Sequence, residues 1–313
     1  MLGIVVGVVA MLAAGEVYLR LVPPTDLRPF LIDSLSETGP YVADPVIGAD
    51  YRSYDALHAL YVERLDELAA ANAGRPVWML FGNSFVNARG MLGDTAQARI
   101  ASTQFVYLRR NEILALRVAQ FRRLLEHGER PVRVVFTFVP LDLHGIALHA
   151  PADLAVNAGG ALGRRNHAPS FLPAWFWENS RLSLAAWTRS GRNSTFPGYR
   201  AVDVMRPQPP AMATELDRIF GEIARLAGAY GVAATIVAIP NREQVMGDPN
   251  RVAQDALSVA ATRAGLDYVD TTAAFTGQAE PQDLFIADGH FNDRGNAILL
   301  DALLAHLGEP AGR

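Results

Sequence analysis

Three side chains in this sequence have the types and the chain order for nucleophilic acyl chemistry. Ser84 stands in WMLFGNSF (78–85), where an apolar run stops at Gly82 and a hydroxyl follows two residues later. Such a stretch reads as a buried strand ending in a tight turn that presents one side chain. A serine hydroxyl alone is a poor nucleophile and needs an adjacent base. The base on offer is His290, far along the chain in IADGHFNDRG (286–295), with Asp288 two residues upstream. In an extended loop, residues i and i+2 point the same way. Asp288 would then hold one imidazole nitrogen while the other faces Ser84. Each feature alone is weak. A Gly-x-Ser turn is more often structural than catalytic, a histidine at a helix start is commonly a cap or a surface residue, and Asp288 is an ordinary turn residue. The conjunction of strand end, order Ser–Asp–His and a DGH loop before the last helix carries the signal.

These residues need a scaffold that gathers strand ends, and the elements predict one. Apolar residues at helical spacing mark a helix from Tyr54 to Ala73, and strand VWMLF (77–81) follows. Then come strand QFVYL (104–108), helix 113–128, strand VRVVFTFVP (132–140), helix 213–231, strand VAATIVAIP (232–240), helix 251–265, strand LDYVD (266–270) and helix 292–308. Asn292 is placed to cap that last helix. Strands apolar throughout and alternating with helices imply an α/β fold, a parallel sheet with helices on both faces. Its carboxyl edge is where open α/β sheets bind ligands, and Ser84 falls there.

Composition narrows the chemistry. The 313 residues are 50% hydrophobic and 19% charged, enough for a sizeable core. A net charge of −4 argues against a nucleic-acid-binding surface. There is no lysine, so no Schiff base, and no cysteine, so no disulfide, thiolate nucleophile or cysteine metal site. His144 and His149 lie near Asp142, but an i,i+5 spacing does not put two ligands on one helix face; no metal and no cofactor is expected.

Residues 2–15 form an apolar run too short to span a bilayer, and with Glu16 near the interface the run extends to Val22. Residues 1–22 are therefore expected to be a signal anchor or a signal peptide, and residues 23–53, rich in Pro, Asp, Ser and Gly, a linker and lead-in. The folded domain is expected over 54–308. Within it, 141–212 has no strand pattern but holds three of the four tryptophans, Trp175, Trp177 and Trp187. An insertion after the third core strand emerges at the carboxyl edge, as a lid or a surface flap. Those tryptophans are candidate sugar-stacking residues, although core packing suits them equally well.

The GNS turn, the DGHFNDRG loop and the β/α order together resemble the SGNH (GDSL-type) hydrolase family over roughly residues 75–308. That resemblance implies a three-layer, flavodoxin-like fold and a metal-free Ser–His–Asp hydrolase or acyltransferase, with Ser84 as nucleophile, His290 as base and Asp288 as its orienting partner. The opening, with YVADPVIGADYR (41–52), is similar to membrane-anchored bacterial members with an extracytoplasmic or periplasmic domain on the inner membrane. The one-residue gap between Asp288 and His290 resembles members that O-acetylate exopolysaccharides. Two oxyanion positions depart from the family pattern. Its second motif has a glycine where this chain reads YLRRNE (107–112), and its third has an asparagine where Leu141 stands in VPLD (139–142). The Ser84 N–H would remain as a donor, with Asn111 or Asn87 as substitutes. Two functions stay open: an exported ester hydrolase or O-acyltransferase acting on acyl, foremost acetyl, esters of carbohydrate or envelope polysaccharide, and a weak or inactive relative that binds glycan or polysaccharide assembly proteins.

Overall fold

The computed structural model describes residues 2–22, 41–71, 74–108, 113–148, 154–156, 162–164, 180–182, 185 and 210–308. They belong to two compact units, one of Met1–Arg52 with His149–Tyr199, the other of Ser53–Leu148 with Arg200–Arg313. The segment that returns to the N-terminal unit thus begins at 149 rather than 141, because residues 140–148 continue the core as a helix.

The first unit opens with helix α1 (Leu2–Leu21), on which Ile4, Val6, Met11 and Leu21 are exposed. Among the described residues no helix is long and apolar enough to cross a membrane, so the single span expected of residues 2–22 gains no support here. Strands β1 (Tyr41–Asp44) and β2 (Gly48–Tyr51) then pair as an antiparallel hairpin. Residues 41–51 of the expected linker and lead-in are thus a paired hairpin. The turn is made by Asp44, whose carboxylate accepts the Val46 and Ile47 N–H groups at 2.8 Å, the Asx chemistry that DPVIG encodes. Ile47, Ala49 and Tyr51 are wholly buried.

The second unit carries the sheet. It runs α2 (Tyr54–Ala71), β3 (Val77–Phe81), α3 (Ser84–Asn87), α4 (Leu92–Arg99), β4 (Gln104–Val106), α5 (Leu114–His127), β5 (Arg133–Phe138) and α6 (Pro140–Leu148). The chain passes through the antiparallel pair β6 (Leu154–Val156) and β7 (Leu162–Arg164) of the first unit, where no strand was expected. It returns with α7 (Pro210–Tyr230), β8 (Ala233–Ala238), α8 (Arg242–Val245), α9 (Val252–Ala264), β9 (Asp267–Asp270), α10 (Thr272–Phe275) and α11 (Asp293–Leu307).

The sheet order is β4-β3-β5-β8-β9, all parallel. Numbered along the core, that is 2-1-3-4-5, the flavodoxin-like order, and it is the fold the SGNH resemblance implies. Every residue of β3 is buried, as a strand between two helical layers must be. On one face Trp78, Leu80, Val135, Val237 and Val269 pack with Leu92, Ala96, Leu299, Leu300 and Leu303 of α4 and α11. On the other, Phe81, Phe136 and Phe138 meet Phe121 of α5 and Phe220 of α7. The strand order reverses between β3 and β5. That crevice is where the loop after β3 emerges.

Candidate active site

The turn after β3 is shaped by sterics before chemistry. A Cβ on Gly82 would lie 2.1 Å from Thr137 Oγ1 on β5 and 2.6 Å from a Val86 methyl, so no larger residue fits there. Asn83 caps α3, its Oδ1 accepting the Phe85 N–H at 2.9 Å. Its Nδ2 donates to Asp142 Oδ2 at 3.0 Å. Asp142 also accepts the Val139 N–H at 2.9 Å and the Arg117 guanidinium at 3.0 Å. Arg117 and Asp142 are only 5% and 11% exposed at their side chains, so the charges compensate each other inside the core. One carboxylate thereby ties together the ends of β3 and β5 and the helix α5.

The histidine comes from a tight turn, not the extended loop expected. The Ile286 N–H donates to the His290 carbonyl at 2.8 Å, and Gly289 N–H to the Ile286 carbonyl at 3.0 Å. Gly289 has φ +91°, which a residue with a Cβ adopts only with strain. Asp288 folds over this turn and accepts the His290 N–H at 3.1 Å, so an Asx turn, rather than i,i+2 alternation, sets its direction. Phe291 anchors the turn in the core, stacked on Phe275 at 4.6 Å and edge-on to Phe85. Asn292 caps α11 through the Gly295 N–H at 3.1 Å, as expected, and its Nδ2 donates to the Asp283 carbonyl.

These two turns meet. The Ser84 Oγ–H donates to His290 Nε2 at 2.6 Å, and His290 Nδ1–H donates to Asp288 Oδ1 at 2.9 Å; this tautomer is the one both neighbours require. Phe85 lies against the imidazole at 4.8 Å between ring centroids. The His290 backbone N–H, then its imidazole, hold the Asp288 carboxyl below its ordinary range. That side chain is 63% exposed, against 23% for His290.

The remaining candidates divide. Asn87 is described, and its Nδ2 donates to the Gly82 carbonyl at 2.7 Å, bracing the serine turn from within. Asn111, Trp175, Trp177 and Trp187 lie outside the described residues. Leu141 is 48% exposed at the start of α6, beside the Asp142 that braces Asn83. The Ser84 N–H lies in the first turn of α3, where no carbonyl four residues back takes it up. Among the described residues no cluster of three His, Asp or Glu is placed to hold a metal ion. Sequence reasoning missed Asn83, Arg117 and Asp142. The cap was legible in GNS, but nothing in the sequence pairs residue 83 with residue 142.

Chemically, the arrangement is a hydroxyl with a base at hydrogen-bonding distance and a carboxylate behind that base. It can deprotonate Ser84 during attack on a carbonyl and return the proton to a leaving alcohol.

No protein-family model and no curated protein matches the chain. Solved structures do. Axe2, an acetylxylan esterase from Geobacillus stearothermophilus, is 13% identical, with 77% of this chain and 97% of that one covered at a TM-score of 0.43. LAE5, an alpha/beta hydrolase enzyme from the metagenome of Lake Arreo, is 15% identical over 75% and 96% at 0.42. A lipase/acylhydrolase from Enterococcus faecalis is 11% identical over 76% and 99% at 0.41. At these values the likeness adds nothing to the chemistry, which stands on the distances above.

Proposed function

We propose that the protein is a serine-dependent ester hydrolase or O-acyltransferase acting on acyl esters of carbohydrate. The observation that carries this is the unbroken chain from Ser84 Oγ through His290 to Asp288, at 2.6 and 2.9 Å. In the reaction Ser84 Oγ attacks the ester carbonyl while His290 Nε2 takes its proton. The Ser84 N–H stabilises the oxyanion. Collapse breaks the bond to the alcohol, which leaves with the proton from His290, and an acyl-Ser84 remains. Water or a sugar hydroxyl, deprotonated by His290, then takes the acyl group and frees Ser84. The acetyl group and a cell-envelope or exported polysaccharide substrate belong to the proposal by family resemblance. So does a location outside the cytoplasm, with the exposed apolar side chains of α1 holding the protein to a membrane.

A second reading has its own observation. The Leu141 side chain offers no hydrogen bond where the family pattern has an asparagine, and a missing oxyanion donor would slow turnover by about 10²–10³-fold, down to a protein that only binds glycan. A fluorophosphonate probe separates the two. Covalent labelling of the wild type, absent in Ser84→Ala at an unchanged melting temperature, is the outcome expected of the enzyme. Glycan binding with neither labelling nor cleavage of any acyl ester is the outcome that would replace it.

A further inference from the structure

Ser84 and His290 are 206 positions apart in sequence, and each sits on a short turn. Holding a 2.6 Å contact between two such turns needs a bond that reaches both. Asn296, in the first turns of α11, is 0% exposed. Its Nδ2 donates to the carbonyl of Phe291, the residue after His290, at 3.2 Å. The same nitrogen donates to the carbonyl of Gly90, in the segment leaving α3, at 3.2 Å. Gly90 is held through its N–H as well. Its N–H donates to Asp94 Oδ2 at 2.7 Å, and Asp94 accepts from the buried phenol of Tyr107.

The choice of residue is informative. Asn296 Oδ1 is buried with no donor to meet it among the described residues, a loss that an apolar side chain of similar size would not incur. What asparagine supplies that leucine cannot is a pair of amide protons, and both are spent joining the two turns. Gly295, its neighbour, lets this happen. A Cβ there would lie 2.7 Å from the Leu284 carbonyl and 2.8 Å from the Phe291 ring, so only glycine brings α11 this close to the histidine turn.

We infer that Asn296 is a positioning residue for the serine chemistry, a two-donor clamp that fixes the Ser84 segment and the His290 turn at reacting distance. The inference rests on the catalytic reading of Ser84, His290 and Asp288. Its consequences differ from those of a residue that merely stabilises the core. Loosening the clamp separates nucleophile and base without altering what the substrate touches, so kcat falls and KM does not.

The experiment compares wild type, Asn296→Ala, Asn296→Ser and Gln254→Ala. Gln254 is equally buried and paired with Gln244 on α8, and so controls for lost stability. With a small acyl ester, well below each melting temperature, Asn296→Ala is expected to lose about 10²-fold in kcat at constant KM, the size of a misplaced catalytic pair. Asn296→Ser, keeping one donor, should fall between and serves where the alanine variant does not fold. Gln254→Ala should lose stability but no kcat. Unchanged kcat in both Asn296 variants, or an equal loss in Gln254→Ala, would overturn the clamp. Should the wild type neither label nor turn over, the catalytic reading fails on its own, and the imidazole resonances of His290 still decide the clamp. In Asn296→Ala those resonances should move to where Ser84→Ala puts them; resonances identical to wild type would end the inference.

Discussion

The exposure of Asp288 sets how the triad responds to change at the residue scale. An orienting carboxylate facing water gains little from a low dielectric, and its hold on His290 comes from two aligned hydrogen bonds, one to the backbone and one to the ring. Both act on the ionised form, and they lower its pKa. A carboxyl depressed in this way keeps its contribution above the ordinary aspartate value, about 3.9, and loses it only as pH falls through the lower folded value. The carboxyl carbon of Asp288 should therefore titrate by NMR with a midpoint below that of an ordinary aspartate, and the midpoint should rise in His290→Ala. A midpoint unmoved by that substitution would mean that the pair is not formed in solution. Asp288→Asn should leave folding intact and lower kcat by about 10²–10⁴-fold, because the amide no longer fixes the imidazole tautomer.

At the scale of elements, α5 and α7, which pack on one face of the sheet, are joined by a buried carboxylate. Glu222 of α7 is 6% exposed and reaches Arg122 of α5 at 3.0 Å and Arg225 of its own helix at 2.6 Å. Burial pushes its carboxyl up, but the hydrogen bonds from Arg225 and Arg122 outweigh it and the net shift is downward. The linkage follows in sign. A depressed folded pKa means stability fully present above the unfolded value, about 4.3, and lost as pH falls through the folded one. Glu222→Gln should cost about 1–3 kcal/mol at neutral pH by urea denaturation. The gap to wild type should close on acidification below the ordinary glutamate range. A gap independent of pH would assign the loss to packing instead of charge.

For the whole molecule, the division into two units assigns chemistry to one of them. Ser84, Asp288, His290, the Asn83–Asp142–Arg117 brace and Asn296 all lie in Ser53–Leu148 with Arg200–Arg313. Helix α1 belongs to the other unit, where Glu16 accepts the Arg181 and Leu182 N–H groups and the Ser180 hydroxyl. Deleting residues 2–22 should therefore leave the rate of fluorophosphonate labelling at Ser84 unchanged while moving the protein from the membrane to the soluble fraction. Labelling lost on deletion would show that the first unit contributes to the site. Wild type already free of membranes would remove the attachment from the proposal.

The sequence by itself determined the layered sheet and named the three side chains, Ser84, Asp288 and His290, that meet in the structure. Strand and helix periodicity are local properties, and runs such as VWMLF and VRVVFTF have only one stable environment, between two helical layers. The order Ser–Asp–His was legible because turn chemistry at GNS and DGH is written in adjacent residues. The β1–β2 hairpin was also written locally, in DPVIG, but its short strands gave too little alternation to outweigh the polar composition around them. Only the tertiary structure decided what holds the reacting residues in place. The pairs Asn83–Asp142, Asp142–Arg117 and Asn296–Gly90 join residues 59, 25 and 206 positions apart, and no periodicity records which distant partner a buried amide will meet.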